Sequence, residues 1–409
     1  MQSNVSKIYN KLSPELRLVL LCSSLKSKDK DQGTIDKLIA SEINWSIFTN
    51  LVVHHRVYPL VYRYLSTLAY PAVPNEVMST LCQINKDNKC KTLQMIAEFI
   101  KILRALEQSG IRVIVIKGFP LAYQLYGDIT LRTSRDIDIL VNPEEIYKAR
   151  EIIEKHGYIW DHALASATNS RFNKWMEIEK HIEYWHPGLE TCIELHWRLD
   201  ILGMDLPHSL IEDSKESLQL LGQSIQVLGK EESLMYLTIH GAAHAWFRVK
   251  WLLDIDIIIR KGDFSWGKLF QMAHSLGAKA VLHQVMILLR ELLDTPLPKF
   301  LTDAIENDTR AQHLASMALR HITDSHGMID KTLKEKIYFI FRLKLYQQRL
   351  KSGWRNHMFY FSKCFLPSDE DFRLISLSDR MYFFYYIISP MTWFYRRTHN
   401  VIKKFIVRG

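Results

Sequence analysis

The stretch RTSRDIDILV, residues 132–141, decides the fold that we expect for this 409-residue chain. In an extended strand the side chains alternate, so three aliphatic residues share one face while Asp136 and Asp138 share the other. Two neighbouring carboxylates repel each other and resist removal from water. This pair of carboxylates therefore indicates a functional role for the negative charge, and other parts of the sequence indicate what that role is.

The composition is that of a packed globular protein. Hydrophobic residues make up 47% of the chain and aromatic residues 11%, with only 16 Gly and 12 Pro, which argues against disorder and low complexity. The five cysteines are widely spaced and form no C-x-x-C pair, which argues against a disulfide scaffold or a structural zinc site. We read the N-terminus as ordinary helix rather than a secretion signal, and therefore expect a cytoplasmic protein.

Positive charge is concentrated at the C-terminal end. Residues 331–409 contain 16 Lys and Arg against 5 Asp and Glu, a net charge of +11, whereas the whole chain carries +9. Aromatic residues such as Tyr346, Trp354 and Phe359 interleave with these charges, which would suit a nucleic-acid partner. No recognised RNA-binding motif accompanies them and the first 330 residues are slightly acidic, so we do not expect nucleic acid to be the substrate.

The apolar stretch MYFFYYIISPMTWFY, residues 381–395, is too short to span a bilayer and contains a proline. A buried C-terminal helix accounts for it, and contact with a membrane surface is the alternative.

Changes of hydrophobic period divide the chain into four parts and predict an α+β protein, with a small mixed β-sheet core between N- and C-terminal helical regions. The strand candidates are IRVIVI (111–116), RDIDILV (135–141), HIEYWH (181–186) and TCIELHWRL (191–199). The predicted parts are a helical region 1–108, the α/β core 109–205, a helical domain 206–330 that completes a cleft, and a basic, aromatic-rich helical segment 331–409.

A glycine turn follows the first strand candidate, in the sequence KGFPLAYQLYG. Gly118 at a strand-to-helix turn lets backbone N–H groups approach phosphate oxygens, and the helix N-terminus adds positive potential. Lys117, Arg132 and Arg135 lie nearby in sequence and are suited to offset the negative charge of a triphosphate.

A third carboxylate, Glu194, lies in the later strand candidate CIELHW, on the same face as Cys192 and His196. If this strand neighbours the Asp136–Asp138 strand, three carboxylates converge, and a divalent cation is needed to neutralise them. Two Mg²⁺ ions, with Mn²⁺ as a possible substitute, roughly 3.5–4 Å apart can activate a hydroxyl and stabilise a leaving pyrophosphate.

These residues carry a family resemblance. The stretches IKGFPLAYQLYGDITLRTSRDIDILV, CIELHWRL and HGAAHAWFRVKWLLDIDIII, with a fainter INWSIFTNLVVHHRVYPLVYRYL, resemble the bacterial uncharacterised nucleotidyltransferase family of the DNA polymerase β superfamily. The resemblance extends over roughly residues 40–260. It implies metal-dependent transfer of a nucleoside monophosphate from a nucleoside triphosphate, such as ATP, to a hydroxyl or a related acceptor.

The resemblance also implies roles for the carboxylates. Asp136 and Asp138 would ligate both metal ions, and Glu194 would ligate the catalytic ion and help to deprotonate the acceptor. The chain departs from the superfamily pattern where Gly118 is followed by Phe119, because the usual second small residue and its hydroxyl contact are missing. Lys117 would then substitute as a point charge.

A histidine segment, HGAAHAWFRVKW, follows on a predicted helix. His240 and His244 are four residues apart on one helix face, but Gly241 stands where a zinc protease has its glutamate base. In one interpretation the histidines are core residues; in the other they face the cleft with Arg248 and Lys250 and contact the nucleotide or the acceptor. Trp246 and Trp251 would suit stacking on a base, although a core role is commoner for tryptophan.

We therefore expect a Mg²⁺-dependent nucleotidyltransferase that acts on a small molecule, a saccharide or a peptide. Two alternatives remain open from the residues: a transferase with a nucleotide-sugar donor at the same site, and a non-catalytic nucleotide-binding scaffold. The donor base, the acceptor and the oligomeric state are not fixed by the sequence.

Overall fold

A computed structural model describes the residues 12–24, 28–40, 43–68, 73–165, 167–324, 332–351, 365–375 and 377–392. Trp354 and Phe359, which support the nucleic-acid alternative, lie outside the described residues, as does the end of the apolar stretch 381–395.

The N-terminal part is helical, as predicted. Its short helices begin at polar caps: the side chain of Ser13 accepts a hydrogen bond from the Leu16 N–H, and that of Asn44 from the Ile47 N–H. A 34-residue helix then reaches the sheet. The helices are α1 Pro14–Ser23, α2 Lys28–Ala40, α3 Trp45–His54, α4 Tyr58–Leu68 and α5 Asn75–Gln108.

Six strands form one mixed sheet: β1 Ile114–Val115, β2 Asp136–Leu140, β3 His181–His186, β4 Thr191–His196, β7 Glu216–Leu220 and β8 Gln223–Val227. Their order is β3-β4-β2-β1-β8-β7. β2 runs parallel to β4 and β1 parallel to β8, while the other neighbours are antiparallel. A separate two-stranded ribbon contains β5 Leu199–Ile201 and β6 Met204–Leu206.

Helices lie between and after the strands. Those between them are α6 Phe119–Tyr126, α7 Ile146–Lys155, α8 Asn169–Ile178 and α9 His208–Ser214. Those after them are α10 Lys230–Ala243, α11 Lys250–Lys261, α12 Trp266–Ser275, α13 Lys279–Leu293, α14 Lys299–Glu306, α15 Thr309–Asp324, α16 Leu333–Leu350 and α17 Asp369–Leu374. The predicted α+β class is confirmed.

The two faces of the sheet belong to two apolar cores, and this separation positions the acids. Ile137 and Ile139 of β2 pack in a core that includes side chains of α5, α7 and α8. Leu140, which shares its face with Asp136 and Asp138, packs in the second core together with residues of α10 and α11. The acidic face therefore looks toward α10 and α11.

The hairpin of β7 and β8 differs from the sequence prediction, which assigned residues 206–330 to a helical domain. β8 pairs with β1, so the core sheet continues beyond residue 205. The hairpin has mixed exposure along its length, and its weak apolar content explains why hydrophobic periodicity did not reveal it.

The C-terminal part supplies packing as well as charge. Tyr346 of α16 is fully buried and accepts a hydrogen bond from the Gln284 amide at 2.6 Å, so it is unavailable for contact with nucleic acid. Among the described residues, no helix combines the length and the apolarity that crossing a bilayer requires.

We predict that Gly241→Ala destabilises the fold. A Cβ atom at residue 241 would lie 2.2 Å from ring atom Cζ3 of Trp246, which is fully buried and has no room to shift. Such overpacking costs about 1–3 kcal/mol, measurable as a lower free energy of unfolding in urea. Gly33→Ala in α2 is the matched control, because nothing lies within 4 Å of its Cβ position and alanine favours helix. Equal effects of the two substitutions would contradict the packing argument.

Candidate active site

The parallel pairing of β2 and β4 brings the predicted carboxylates together. The register sets Asp138 opposite Glu194 and Asp136 opposite Cys192. Because paired residues of neighbouring strands project to the same face of the sheet, the three carboxylates share the face that looks toward α10. The condition on which the sequence argument depended, that the two acidic strands are neighbours, is met.

Lys117 lies between the two aspartates. Its Nζ is 2.5 Å from Oδ2 of Asp138 and 3.4 Å from Oδ1 of Asp136. Burial alone would lower the pKa of the Lys117 ammonium, but the charges of Asp138 and Asp136 outweigh it and raise that pKa above its ordinary value. The Asp138 side chain is fully buried, so the ammonium supplies the counter-charge that this carboxylate needs.

His196, which the sequence analysis did not assign to the site, completes the cluster. Its Nε2 lies 3.2 Å from Oε2 of Glu194 and 3.7 Å from Oδ1 of Asp138. Burial would lower the pKa of the His196 imidazole, but the two carboxylates raise it. Burial would likewise raise the pKa of Glu194, but the hydrogen bond from His196 and the charge of Lys117 lower it to about 2.

The ring of His181, which stacks on His196 with ring centroids 4.8 Å apart, stays neutral. Burial and the positive charge of His196 lower its pKa to about 3. The alternation in CIELHW places His196 on the same strand face as Glu194, and this pattern is the sequence feature that could have predicted His196 as a site residue.

Asp138, Glu194 and His196 form a group that fits a divalent cation. One oxygen or nitrogen atom from each lies within 4.8 Å of the others. Oδ1 of Asp138 is buried and has no hydrogen-bond partner among the described residues, as expected of an atom that faces an ion. Asp136 is not a member of this group; its carboxylate is about one-third exposed, at the edge of the site. Two carboxylates with an imidazole suit Mn²⁺ as well as Mg²⁺.

Gly118 forms the predicted turn between β1 and α6. Its φ of +91° requires glycine, and α6 begins directly after it with Pro120 in its first turn. The hydroxyl of Ser134 lies near this turn, 3.6 Å from the Cβ position of Gly118, and donates to the Asp136 carbonyl oxygen at 3.0 Å. A hydroxyl is therefore present beside the turn although none follows Gly118 in the chain.

Two of the predicted phosphate-binding cations lie inside the protein instead. The buried Arg132 donates from Nε to Oδ2 of Asp254 at 3.0 Å, and the buried Lys250 donates to the Thr133 carbonyl oxygen at 3.0 Å. These contacts join α11 to the loop before β2. Arg132 and Lys250 thus hold the loop rather than face the open site.

The other two predicted cations lie toward the opening. Arg135 is exposed, and Arg248 is half-buried with its guanidinium 5.1 Å from the ring centroid of Phe247. Burial and the positive charge of Arg135 together lower the pKa of Arg248 to about 10, although the negative charge of Asp136 acts in the opposite direction. Arg135 and Arg248 therefore lie within electrostatic reach of the acidic edge.

An aromatic wall lies beside the site, near Glu194 and Arg248. The rings of His240 and His244 lie 4.8 Å apart, and Trp251 packs against both, at 5.4 and 5.2 Å. Burial and the charge of His244 lower the pKa of His240 well below its ordinary value. His244 has an exposed edge, but enclosure of the rest of its ring, together with Lys180 and Arg248, lowers its pKa to about 4.

The tryptophans of this segment do not suit base stacking. Trp246 is fully buried and Trp251 nearly so, which makes both of them packing residues in this structure. His244 is thus the exposed member of the histidine segment, while His240 lies behind it.

Comparison with known proteins supports the resemblance. The model of a family described as "Uncharacterised nucleotidyltransferase" matches residues 41–294, well over half of the chain. The predicted enzyme class, a nucleotidyltransferase, is thereby confirmed. No curated protein matches the sequence. The solution structure of the antibiotic-resistance factor ANT(2'')-Ia aligns with 47% of this chain and 95% of its own, at 11% identity and a TM-score of 0.35, too low to carry an argument.

We predict that Asp138→Asn and Glu194→Gln each weaken Mn²⁺ binding at least about ten-fold, since metal ligands contribute no less than the groups that orient them. Calorimetric titration of the metal-stripped chain measures this directly. Asp161→Asn, at a carboxylate that is 91% exposed, is the control and should bind Mn²⁺ as the unmodified chain does. Unchanged binding by Asp138→Asn would show that the cluster is not a metal site.

We also predict a pH dependence from His196. The two carboxylates raise the pKa of the His196 imidazole in the folded state. With a chelator present to remove metal ions, the charged imidazole therefore contributes its full stabilisation at pH values below its unfolded-state pKa of about 6.5. That stabilisation is lost as the pH rises through the folded-state value. The difference in free energy of unfolding between the unmodified chain and His196→Asn should therefore shrink above about pH 6.5. A constant difference from acidic to alkaline pH would contradict the ion pairs of His196.

Proposed function

Because the chain belongs to the uncharacterised nucleotidyltransferase family, we propose that it transfers a nucleoside monophosphate from a nucleoside triphosphate to a hydroxyl group. The acceptor would be a small molecule, a saccharide or a peptide. The observation that carries the proposal is the register that sets Asp138 opposite Glu194, with His196 beside them and Asp136 at the edge.

In the proposed reaction the acceptor oxygen bonds to the α-phosphorus of the donor. The bond from that phosphorus to the oxygen bridging the α- and β-phosphates breaks, and pyrophosphate leaves with the bridging oxygen. The acceptor hydroxyl loses its proton to Glu194 or to water. Asp136, Asp138 and Glu194, with His196, would hold divalent cations, which when bound neutralise phosphate charge and acidify the attacking hydroxyl.

The residues of the chain have separate tasks in this scheme. Glu194 is partly exposed and, with a pKa of about 2, ionised at neutral pH, so it can accept a hydrogen bond from the acceptor hydroxyl. Lys117 pairs with the buried Asp138 at 2.5 Å and holds its carboxylate in place. Gly118, next to the N-terminus of α6, offers backbone N–H groups to phosphate oxygens. His244 lies at the edge of the site, near Glu194 and Arg248.

A nucleotide-sugar donor is the second candidate, favoured by one feature. Phe119 follows Gly118 where the resemblance leads us to expect a small residue with a phosphate contact. The hydroxyl of Ser134 near Gly118 weakens that argument, and we therefore rank the triphosphate donor first.

We predict that one or more of ATP, CTP, GTP and UTP binds in the presence of Mg²⁺, and that Asp136→Asn weakens binding at least about ten-fold. Calorimetric titration measures it, with several nucleotide sugars in parallel and the exposed Asp213→Asn as the control. A bound triphosphate is then tested for pyrophosphate release with mixed hydroxyl acceptors.

The outcomes separate the candidates. Mg²⁺-dependent binding of nucleotide sugars alone would replace the triphosphate proposal by the second candidate. Nucleotide binding without pyrophosphate release would favour the non-catalytic nucleotide-binding scaffold, and binding of neither class would overturn the proposal.

A further inference from the structure

Hydrogen bonds between three distant segments bring an N-terminal arginine, Arg56, to the edge of the site. The Thr133 hydroxyl donates to the carbonyl oxygen of Arg56 at 3.3 Å. Lys250 donates to the carbonyl oxygen of the same Thr133 at 3.0 Å. The Val249 N–H donates to Nδ1 of His55 at 3.4 Å. The turn after α3, the loop before β2 and the start of α11 are therefore fastened together.

Each fastened segment presents one arginine: Arg56, Arg135 and Arg248. Burial and the positive charges of Arg248 and Arg135 together lower the pKa of Arg56 to about 9, although the negative charge of Asp136 acts in the opposite direction. Arg248 responds to Arg135 and Asp136 in the same way. These three guanidinium groups lie on segments that hydrogen bonds join next to β2, and they form a cluster of positive charge beside Asp136.

Although Asp136 lies nearby, no carboxylate among the described residues forms an ion pair with the cluster. Several partly or fully buried arginines do have one; Arg132 lies 3.0 Å from Asp254, and Arg260 lies 2.8 Å from Asp256. Within the described part of the chain, neither Arg56, Arg135 nor Arg248 has a carboxylate oxygen within 4.0 Å. Nε of Arg248 is buried and makes no hydrogen bond. Repulsion and an unmet donor both favour an anion from outside.

The backbone at Arg56 is consistent with this use. Its φ of +56° lies in the left-handed region, which residues other than glycine enter rarely. Hydrogen bonds of the flanking backbone, including Arg56 N–H to the Val53 carbonyl at 3.0 Å, hold the turn. Residues in such conformations cluster at functional sites, where surrounding structure maintains them.

We infer that Arg56, Arg135 and Arg248 bind the terminal phosphates of the donor, which enters with its polyphosphate over Asp136. The identity of the donor as a nucleotide rests on the proposed function. Arginine forks bind phosphate oxygens in pairs, and three of them match the charge of β- and γ-phosphates. A nucleotide sugar has no free terminal phosphate, because both its phosphates are esterified. The cluster therefore selects a triphosphate and holds the departing pyrophosphate.

The test uses inorganic tripolyphosphate, without metal and without a nucleoside, titrated calorimetrically into the full chain. Arg56→Gln, Arg135→Gln and Arg248→Gln should each weaken binding at least about ten-fold, the effect of one lost charge-assisted contact. Added NaCl should weaken the binding by the unmodified chain. Arg320→Gln, at an exposed arginine of α15, is the matched control and should change nothing. Arg56→Lys, which keeps the charge but not the fork, should fall between.

Failure of the inference is distinguishable from failure of the proposed function. No binding of tripolyphosphate, or binding that the three substitutions leave unchanged, would overturn the arginine site. Because Arg135 is exposed, Arg135→Gln remains informative if either of the other variants does not fold. Arginine-dependent binding without turnover of any triphosphate would leave the site standing and remove the proposed reaction. Turnover of a triphosphate with an unaltered KM in Arg135→Gln would support the proposed reaction and overturn the arginine site.

Discussion

The ion pair of Lys117 with Asp138 is the interaction on which the arrangement of the site depends. A fully buried carboxylate is tolerated only beside a cation, and Lys117, directly after β1, provides one at 2.5 Å. This requires β1 to lie next to β2, and β2 next to β4, in the observed register. A slip of β2 by one residue would move Asp138 into the apolar core beneath the sheet. The ion pair therefore favours the one register that also assembles the candidate metal group.

The same cations that stabilise the acids also compete with any metal ion. Lys117 and His196 both lie on oxygens that a divalent cation would use. The fold is thus balanced in charge by its own side chains, in contrast to small zinc domains that need the metal to fold. The metal affinity of such a site depends on the free energy needed to move Lys117 and His196 away from the carboxylate oxygens. Bound nucleotide, which adds negative charge, shifts that balance toward the metal.

Sequence reasoning could reach the parts of this site that depend on local periodicity. Alternation along two strands predicted the shared face of Asp136, Asp138 and Glu194, and the turn at Gly118 followed from the change of period. Sequence reasoning could not predict the features of the site that depend on tertiary contacts. The burial of Arg132 against Asp254 is an example, because 122 residues separate the partners. The β7–β8 hairpin was not predicted, because its half-exposed strands show little of the apolar alternation that identifies a strand.

In the proposed arrangement the N-terminal helices would contribute to the site as well as to packing, through the turn after α3 that carries Arg56. The strands supply the acids and Lys117, but the cations beyond Asp136 come from the turn after α3, the loop before β2 and the start of α11. His244 lies close enough to Arg248 and Glu194 for both charges to act on its pKa, in opposite directions. A donor aligned by the arginines would direct its α-phosphate toward Glu194 and the acceptor toward the histidine wall. A sheet alone could bind a cation, but in this proposal the orientation of the donor would also depend on the turn after α3 and the start of α11.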